Sequence, residues 1–349
     1  TLYGIFSKMV TSIREEAFSP CIAYTGTRPV EYAAVPLTMY GSGADHLESY
    51  TSMSALLEHF YAEKNTLTRI RQKSSDLRRI VQTALERDIK KYDLQLAQMK
   101  DTEKREKYRI YGELLNTYGY SAKPGDRSLT AVNYYTNEPV TIPLDPTLSA
   151  TENAKKYFDK YGKLKRTYEA LSELTCQVKE EIDHLETIST ALDIALKEED
   201  LVEIKEELTQ SGYIRRKGGT KKAKITSRPF HYLSSDGFHI YVGKNNFQND
   251  ELTFKFATGN DWWFHAKGIP GSHVVVKTEG KELPDRTFEE AGRLAAYYSK
   301  GREQEKVEID YVQKKQVKKT PGGKPGFVIY HTNYSLLIDP DIRNIQQVK

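Results

Sequence analysis

Two long stretches of the chain repeat their apolar or small residues at spacings of three and four. The first stretch covers 53–118, with repeat positions at Leu67, Ile70, Ser74, Leu77, Val81, Leu85, Ile89, Tyr92, Leu96 and Met99. The second covers 149–212 and alternates strictly through Tyr157, Tyr161, Leu164, Tyr168, Leu171, Thr175, Val178, Ile182, Leu185, Ser189 and Leu192. This heptad spacing is typical of coiled coils. We therefore predict two antiparallel helical arms, each about 90 Å long at about 1.5 Å per residue.

Local motifs mark both ends of the second arm. Ser149 and Glu152 have the spacing of a capping box, in which each residue satisfies a backbone N–H of the other. Gly212 fits the position just after a helix, where a left-handed backbone is common.

The insert between the arms, residues 119–148, predicts a small β-containing tip. It contains a Lys-Pro-Gly-Asp turn motif at 123–126 and two alternating runs, 129–135 and 140–144, around the turn Thr136-Asn137-Glu138-Pro139. Alternation on either side of a turn is the pattern of a hairpin.

Residues 1–52 predict a short helix over 2–16 and a hairpin formed by 21–24 and 30–39. So short a segment cannot bury a core of its own. We expect it to be the remnant of a larger N-terminal domain.

The last part of the chain, 227–349, changes to short alternating runs separated by glycine-rich turns. Strands are predicted at 237–242, 252–256, 263–265, 273–277, 307–312 and 327–330, with a further strand at 335–338 and a helix at 287–299. The predicted fold class is α+β: a long antiparallel two-helix coiled coil with a small β-containing tip, followed by a compact α+β domain.

Composition agrees with an elongated, solvated molecule. Charged residues make up 29% of the chain and apolar residues only 38%, too few for one large core. The two cysteines are far apart in sequence, which favours buried, reduced thiols in a cytoplasmic protein. The sequence contains no run of about 18 apolar residues, so we expect no membrane span.

Basic tracts flank the glycine-rich part and predict contacts with RNA. Lysine and arginine bind phosphates, and nearby aromatic rings can stack on bases. One tract lies in the predicted linker 213–226, a second follows residue 313, and single cations alternate with aromatic residues in between. The candidate RNA-binding residues are Arg215, Arg216, Lys217, Lys221, Lys222, Lys224, Arg228, Lys244, Lys267, Lys314, Lys315, Lys318, Lys319 and Lys324. The alternative is that about half of the aromatic residues are core, including at least one residue of Trp262-Trp263-Phe264, whose side chains alternate between the two faces of a strand.

Charge also varies along the second arm. Near the tip, Lys155, Lys156, Lys160 and Lys163 form a basic end, which favours contact with a phosphate backbone. Towards its other end the arm becomes acidic, with Asp200, Glu203, Glu206 and Glu207 among many carboxylates. A solvated helix face is the usual explanation of such charge runs.

Metal binding and catalysis have weak support. Asp261, His265 and His273 are suitable ligand types, but no Cys-x-x-Cys or His-Glu-x-x-His pattern accompanies them. The glycine-rich segment 322–326 lacks the spacing of a nucleotide-binding loop. We therefore expect structural histidines, no cofactor and no enzymatic activity.

Short motifs in the C-terminal part of the sequence resemble those of a known protein domain. Four short runs resemble the NFACT-R domain, the C-terminal domain of proteins of the NFACT family. They cover 236–245, 248–253, 261–267 and 270–275. The motif residues are Asp236, Gly237, Asn249, Asp250, Asp261, Trp263, His265, Gly271, Ser272 and His273. The step from Leu144-Asp145-Pro146 into the second arm resembles the family's middle coiled-coil region, so the likeness covers about 53–349.

The resemblance implies a factor of ribosome-associated quality control. Such proteins bind the large ribosomal subunit that carries a stalled peptidyl-tRNA, and they recruit tRNA so that the ribosome adds a C-terminal alanine tail to the nascent chain. It also implies that NFACT-R contacts tRNA or ribosomal RNA. The family's N-terminal domain is represented only by residues 1 to about 50, so the main tRNA-recognition residues are not expected in this sequence.

An older name for members of the family suggests an alternative partner, fibronectin, and a role as a surface adhesin. No export signal, anchor or disulfide pattern in the sequence favours this role.

Overall fold

The computed structural model describes residues 2–25, 28–37, 39–40, 45–216 and 227–348. About 49% of the residues are helical and 20% are in strands, which confirms the mixed α+β class. The chain divides into two units, one formed by Thr1–Gln82 with Glu186–Lys349 and the other by Thr83–Leu185.

The N-terminal part of the first unit contains a small antiparallel sheet. Helix α1 (Leu2–Arg14) is followed by strands β1 (Cys21–Thr25), β2 (Arg28–Ala33) and β3 (Asp45–Ser49), with β1 in the centre. Helix α2 (Met53–Lys73) packs Leu56 and Phe60 against Ile22 of β1. The sequence predicted the helix and the hairpin but not β3.

The predicted arms are helical, but each is broken. The first contains α2, α3 (Ser75–Asp101) and α4 (Arg105–Tyr118), and the second contains α5 (Ala150–Ile194) and α6 (Glu198–Gln210). At the breaks in the first arm, Ser74 Oγ donates to the Arg71 carbonyl and Thr102 Oγ1 to the Met99 carbonyl. Side-chain hydrogen bonds of this kind compete with helical ones, and the apolar spacing gives no sign of them.

The caps predicted for the second arm are confirmed. The Glu152 carboxylate accepts a hydrogen bond from the Ser149 N–H at 2.8 Å, and Ser149 Oγ accepts one from the Glu152 N–H at 3.2 Å. Beyond α6, Gly212 has φ +81°, and the Tyr213 N–H donates to the Leu208 carbonyl at 2.9 Å. The helix therefore closes in the left-handed manner that favours glycine.

Contacts between α3 and α5 occur within each unit. In the first unit Arg78 of α3 pairs with Asp193 of α5 at 2.5 Å, and in the second Thr175 of α5 contacts Met99 of α3 at 3.5 Å. The two helices are adjacent at these points. A continuous two-helix coiled coil stays a prediction.

The tip is a two-stranded hairpin, as the two alternating runs around 136–139 predicted. Strands β4 (Ser128–Asn133) and β5 (Glu138–Pro143) pair in antiparallel register. Leu129 and Ile142 face inwards and pack on Leu114 of α4 and Ala154 of α5. Alternating burial along β4 follows the alternating sequence.

The C-terminal part of the first unit is a seven-stranded antiparallel sheet. The elements of this part in chain order are β6 (Phe230–Leu233), β7 (His239–Val242), α7 (Asn246–Glu251), β8 (Trp262–Ala266), β9 (Val274–Val276), α8 (Asp285–Tyr297), β10 (Val307–Gln313), β11 (Val317–Lys319), β12 (Val328–Tyr330), β13 (Tyr334–Ile338) and β14 (Gln346–Gln347). The strand order along the sheet is β13, β10, β8, β9, β7, β6, β14.

Both faces of this sheet are covered. Helix α8 packs on the face that carries Phe264, and the residues after α7 together with the β11–β12 hairpin pack on the face that carries Trp263. Trp263 and Phe264 are therefore both fully buried, whereas Trp262 keeps some exposure. The expectation that at least one of these three aromatic residues is core is confirmed.

The strand predicted at 252–256 is wrong. Leu252–Phe256 forms a π-helical turn that continues α7. The Asn245 side chain caps α7 by accepting from the Gln248 N–H at 3.0 Å, and the chain stays helical from that cap onwards. The alternating letters Leu-Thr-Phe-Lys-Phe resemble a strand, but the cap before them decides the local structure.

In the part of the chain that the structure describes, no helix is long and apolar enough to span a membrane.

Candidate nucleic-acid interface

The π-helical turn Leu252–Phe256 brings aromatic rings next to the C-terminal lysine tract. The ammonium groups of Lys314 and Lys319 lie 5.7 and 5.9 Å from the centre of the half-buried Phe254 ring. Lys319 also pairs with Asp250 of α7 at 2.5 Å. Cations at this distance from a ring are attracted by its quadrupole. We call Phe254, Lys314, Lys315, Lys318 and Lys319 the lysine–phenylalanine surface.

Backbone hydrogen bonds hold the lysine tract in place. The Lys314 N–H donates to the Asp261 carbonyl at 2.8 Å, and the Lys315 N–H donates to the Gly259 carbonyl at 3.1 Å. Lys315, Lys318 and Lys319 keep exposed side chains, while Lys314 is half-buried. The chain therefore displays several cations on a fixed segment.

A glycine-rich loop between β11 and β12 adjoins these lysines. Gly322 and Gly326 have φ values of +69° and +82°, in the region that favours glycine. The Gly326 N–H donates to Asp250 at 3.3 Å, and a β-carbon at Gly326 would collide with Asn246. Half-buried Lys324 belongs to the same loop. The loop thus lies close to α7.

Lys244, a predicted RNA contact, is instead part of the interior. Its side chain is only 8% exposed, and its ammonium pairs with Asp200 at 3.0 Å and lies 4.5 Å from the Phe230 ring centre. A buried, paired ammonium cannot approach a phosphate. The prediction for Lys244 is wrong because sequence alone does not reveal burial.

The remaining predicted cations of this part of the chain are dispersed. Lys267 pairs with Glu308 at 2.6 Å, Arg216 hydrogen-bonds Glu206, and Arg215 and Arg228 are exposed. Lys217, Lys221, Lys222 and Lys224 lie outside the described residues.

The motif residues hold the sheet together. Asn249 accepts a hydrogen bond from the His273 N–H at 3.0 Å, and a β-carbon at Gly243 would collide with the Asn249 side chain. Asp236 accepts from Thr287 Oγ1 of α8 at 2.8 Å, and Gly237 has φ +84° in the turn before β7. Gly271 pairs with Ser299 in an isolated bridge, and Ser272 is buried beside it.

Asp261 connects the turn before β8 with the turn after β9. Its carboxylate accepts from the N–H groups of Thr258 at 2.7 Å and Thr278 at 3.0 Å, and it pairs with Lys277 at 2.5 Å. Burial by itself would raise the pKa of Asp261, but these hydrogen bonds outweigh it and lower the pKa below its usual range. Asp261 is therefore an ionised structural residue.

His265 and His273 form a packed aromatic group with Trp263. The His273 ring lies 5.0 Å from the Trp263 ring and 5.5 Å from the His265 ring, and its Nδ1 hydrogen-bonds Thr253 at 2.7 Å. Burial lowers the pKa of His265 to about 4 and that of His273 well below its usual value. Both rings are neutral near pH 7. Among the described residues, no group of three or more His, Cys, Asp or Glu side chains could hold a metal ion.

A buried polar seam between α6 and α7 was not predicted from the sequence. Asp200, Glu203 and Glu207 of α6 are buried, although they were expected on a solvated face. Their partners are Lys244, Asn245, Asn246, Gln248 and Ser227. The amide-rich run Asn-Asn-Phe-Gln-Asn was the available signal, since amides pair with buried carboxylates.

Burial raises the pKa of Glu203, although the hydrogen bonds from Asn245 and Gln248 act in the opposite direction. The Glu203 carboxylate is therefore less solvated than it would be on an exposed helix face.

The basic end of α5 is a separate site in the second unit. Lys155, Lys156, Lys160 and Lys163 line one open cavity of about 480 Å³. Lys156 pairs with Asp145 at 3.0 Å, and the Lys160 ammonium lies 5.3 Å from the Tyr108 ring. The structure therefore brings the four predicted lysines together on one side of the helix.

Fixed cations beside aromatic rings and a glycine loop are the features of a nucleic-acid-binding domain. The comparisons with known proteins define the particular family. Residues 1–227 match the family described as NFACT N-terminal and middle domains, and residues 228–331 match the NFACT protein RNA binding domain. The chain belongs to the NFACT family.

Two curated relatives extend the comparison. The "Rqc2 homolog RqcH" of Streptococcus pneumoniae is 39% identical over 333 residues, which are 95% of this chain and 58% of that protein. A "Ribosome quality control complex subunit NEMF homolog" of Drosophila melanogaster is 25% identical over 185 residues, 52% of this chain and 17% of that protein. The chain thus spans about three fifths of the streptococcal relative's length.

A solved structure has a similar fold. It is the C-terminal part of a fibronectin/fibrinogen-binding protein from Streptococcus suis, with a TM-score of 0.64 and 37% sequence identity. The match covers 80% of this chain and 99% of that one.

Proposed function

We propose that this chain is the ribosome- and RNA-binding part of a ribosome quality-control factor. In this proposal it binds the large ribosomal subunit with a stalled peptidyl-tRNA, contacting tRNA or ribosomal RNA. The complete protein recruits tRNA for C-terminal alanine tailing. The chain performs no bond chemistry itself, because the ribosome forms the peptide bonds.

The observation that carries the proposal is the lysine–phenylalanine surface. The Lys314 and Lys319 ammonium groups lie 5.7 and 5.9 Å from the Phe254 ring centre, and all three residues lie inside the segment that matches the RNA binding domain. Lysines on a fixed backbone supply phosphate contacts, and a ring beside them supplies an apolar surface for a base or ribose. The name of the NEMF homologue, which includes ribosome quality control, supports the same role.

The four clustered lysines of α5 support a second ribosomal contact. They line one open cavity in the second unit, and only Lys156 has a close carboxylate partner among their described ion pairs. In the proposal this site contacts the phosphate backbone of ribosomal RNA. No described feature favours fibronectin as a partner, so that alternative is not proposed.

The proposal predicts that binding to isolated large subunits weakens steeply with salt. Each phosphate contact releases a counterion, so a surface that makes about four contacts loses roughly a hundredfold in affinity between 50 and 200 mM salt. Sedimentation of the chain with purified subunits across this range measures the slope. An affinity independent of salt, or no binding at the lowest salt, contradicts the proposal.

A further inference from the structure

Three rings form a row on one face of the C-terminal sheet, beside the lysine–phenylalanine surface. His231 of β6 and Tyr241 of β7 are direct cross-strand partners, and their rings are parallel within 2° at a centroid distance of 4.5 Å. Phe256, at the end of the π-helical turn, meets Tyr241 edge-on at 4.7 Å. We call His231, Tyr241 and Phe256 the ring row.

The ring row is accessible to solvent. Phe256 is 40% exposed, and Tyr241 and His231 are half-buried. The inner side of Tyr241 packs on the core that contains Trp263 and Val275. That packing keeps the row rigid, because a ring fixed by a core loses little further freedom when it binds a ligand.

The charges around the row include both signs. The Lys277 ammonium lies 5.0 Å from the Phe256 ring centre and pairs with Asp261, and the exposed Lys255 precedes Phe256 in the chain. Burial raises the pKa of Tyr241, and the negative charge of Glu279 raises it further by a smaller amount. The imidazole of His231 hydrogen-bonds His239 at 2.8 Å.

The ring row and the proposed RNA surface share one element. The π-helical turn carries Phe254, whose ring centre lies 5.7 and 5.9 Å from the Lys314 and Lys319 ammonium groups, and Phe256, whose ring centre lies 5.0 Å from the Lys277 ammonium. Tyr241 and Phe254 pack on the same buried cluster, which contains Trp263 and Val275. Both surfaces thus combine rings with cations, which can bind the phosphates of a strand whose bases stack on the row.

We propose that the ring row binds unpaired nucleobases by stacking, so that this domain selects single-stranded RNA over duplex RNA. The inference rests on the proposed function and adds the class of RNA that the domain binds. Bases inside a duplex are stacked on each other and cannot reach a protein ring, whereas bases in loops and ends are free to do so. Every base has a π-face, so this stacking is tolerant of sequence.

The test is Phe256→Ala in the full chain, with Phe256→Trp to keep a stacking ring. Tyr334→Ala is the matched control, because Tyr334 is a 62% exposed aromatic residue on β13, at the far edge of the sheet. Binding is measured by fluorescence anisotropy with a 12-nucleotide RNA, with the same sequence as a duplex, and with heparin, a polyanion without bases. A 2-aminopurine base in the RNA reports stacking directly.

The expected results separate stacking from charge. Phe256→Ala weakens single-strand binding about 5- to 100-fold and relieves 2-aminopurine quenching, since stacking on one aromatic ring is worth that much per base. Duplex and heparin binding do not change, and Phe256→Trp and Tyr334→Ala bind like the wild type. Because Phe256 is exposed, we expect the substitution to leave the thermal unfolding midpoint in place.

Other outcomes overturn the inference. Unchanged single-strand binding by Phe256→Ala, or an equal loss for single strand, duplex and heparin, contradicts base stacking at this row. In both cases salt-dependent binding by the wild-type chain would leave the proposed function standing. If the wild-type chain binds none of these RNAs or ribosomal subunits at low salt, the proposed function fails together with the inference.

Discussion

At the scale of single residues, environment decides which lysines can serve as RNA contacts. Lys244 and Lys319 each pair with one aspartate, but the Lys244 side chain is 8% exposed and that of Lys319 is 51% exposed. An exposed ion pair is worth at most about 1 kcal/mol, so a phosphate can displace Asp250 from Lys319. Lys244 is buried together with Asp200, so a phosphate cannot displace Asp200 from it.

Two histidines, the buried His273 and the half-buried His265, make the C-terminal domain sensitive to acid. His265 and His273 are neutral in the folded protein because burial lowers the pKa of each below its usual value near 6.5. The unfolded chain therefore binds protons that the folded chain does not, and stability that is present above pH 6.5 is lost as the pH falls towards 4.

We predict that the free energy of unfolding falls between pH 7 and 5 by up to about 1.4 kcal/mol per pH unit for each histidine. Urea unfolding followed by tryptophan fluorescence measures the slope. His273→Asn, whose amide can keep the hydrogen bond to Thr253, is expected to flatten it. The same slope in the variant as in the wild type would show that His273 does not contribute.

At the scale of elements, the parts that follow periodicity or a local sequence motif were predictable, and the helix breaks set by single side-chain hydrogen bonds were not. The α5 helix, its capping box and the β4–β5 hairpin follow from spacing and turn residues alone. The breaks at Ser74 and Thr102 depend on single side-chain hydrogen bonds, which leave no periodic trace. The Leu252–Phe256 turn was mistaken for a strand because its letters alternate.

The candidate site was predictable to a similar degree. The lysine tract was identified from its composition, but its meeting with Phe254 depends on the π-helical turn. The acidic residues of α6 were expected in solvent, because their amide partners lie about 40 positions away in sequence. Long-range pairing of this kind cannot be derived from local pattern.

The α6–α7 seam provides a test of the corrected role of Lys244. Replacing Lys244 by Met leaves Asp200 buried without its cation, which we expect to cost about 3–5 kcal/mol of stability. Lys315→Met, at an exposed position, is the control and should change stability by less than about 0.5 kcal/mol. Urea unfolding compares the two.

RNA affinity per folded molecule should be unchanged in Lys244→Met, because the ammonium of Lys244 in the wild type does not reach the surface. A variant that unfolds like the wild type but binds RNA more weakly would restore Lys244 as a contact.

At the scale of the whole molecule, basic surfaces occur in both units. The lysine–phenylalanine surface belongs to the first unit and the lysines at 155–163 to the second. Since the chain spans about three fifths of the streptococcal RqcH, we propose that these surfaces supply ribosome and RNA contacts to a longer factor.

Charge reversal of Lys318 and Lys319 tests whether the C-terminal lysine tract binds RNA. The matched control reverses Lys90 and Lys91, an adjacent exposed pair on α3 with the same change in net charge. We predict that Lys318→Glu/Lys319→Glu weakens binding to large subunits about tenfold or more and lowers the salt slope by about 2, whereas the control variant binds like the wild type. Equal binding by both variants and the wild type would show that this tract does not bind RNA.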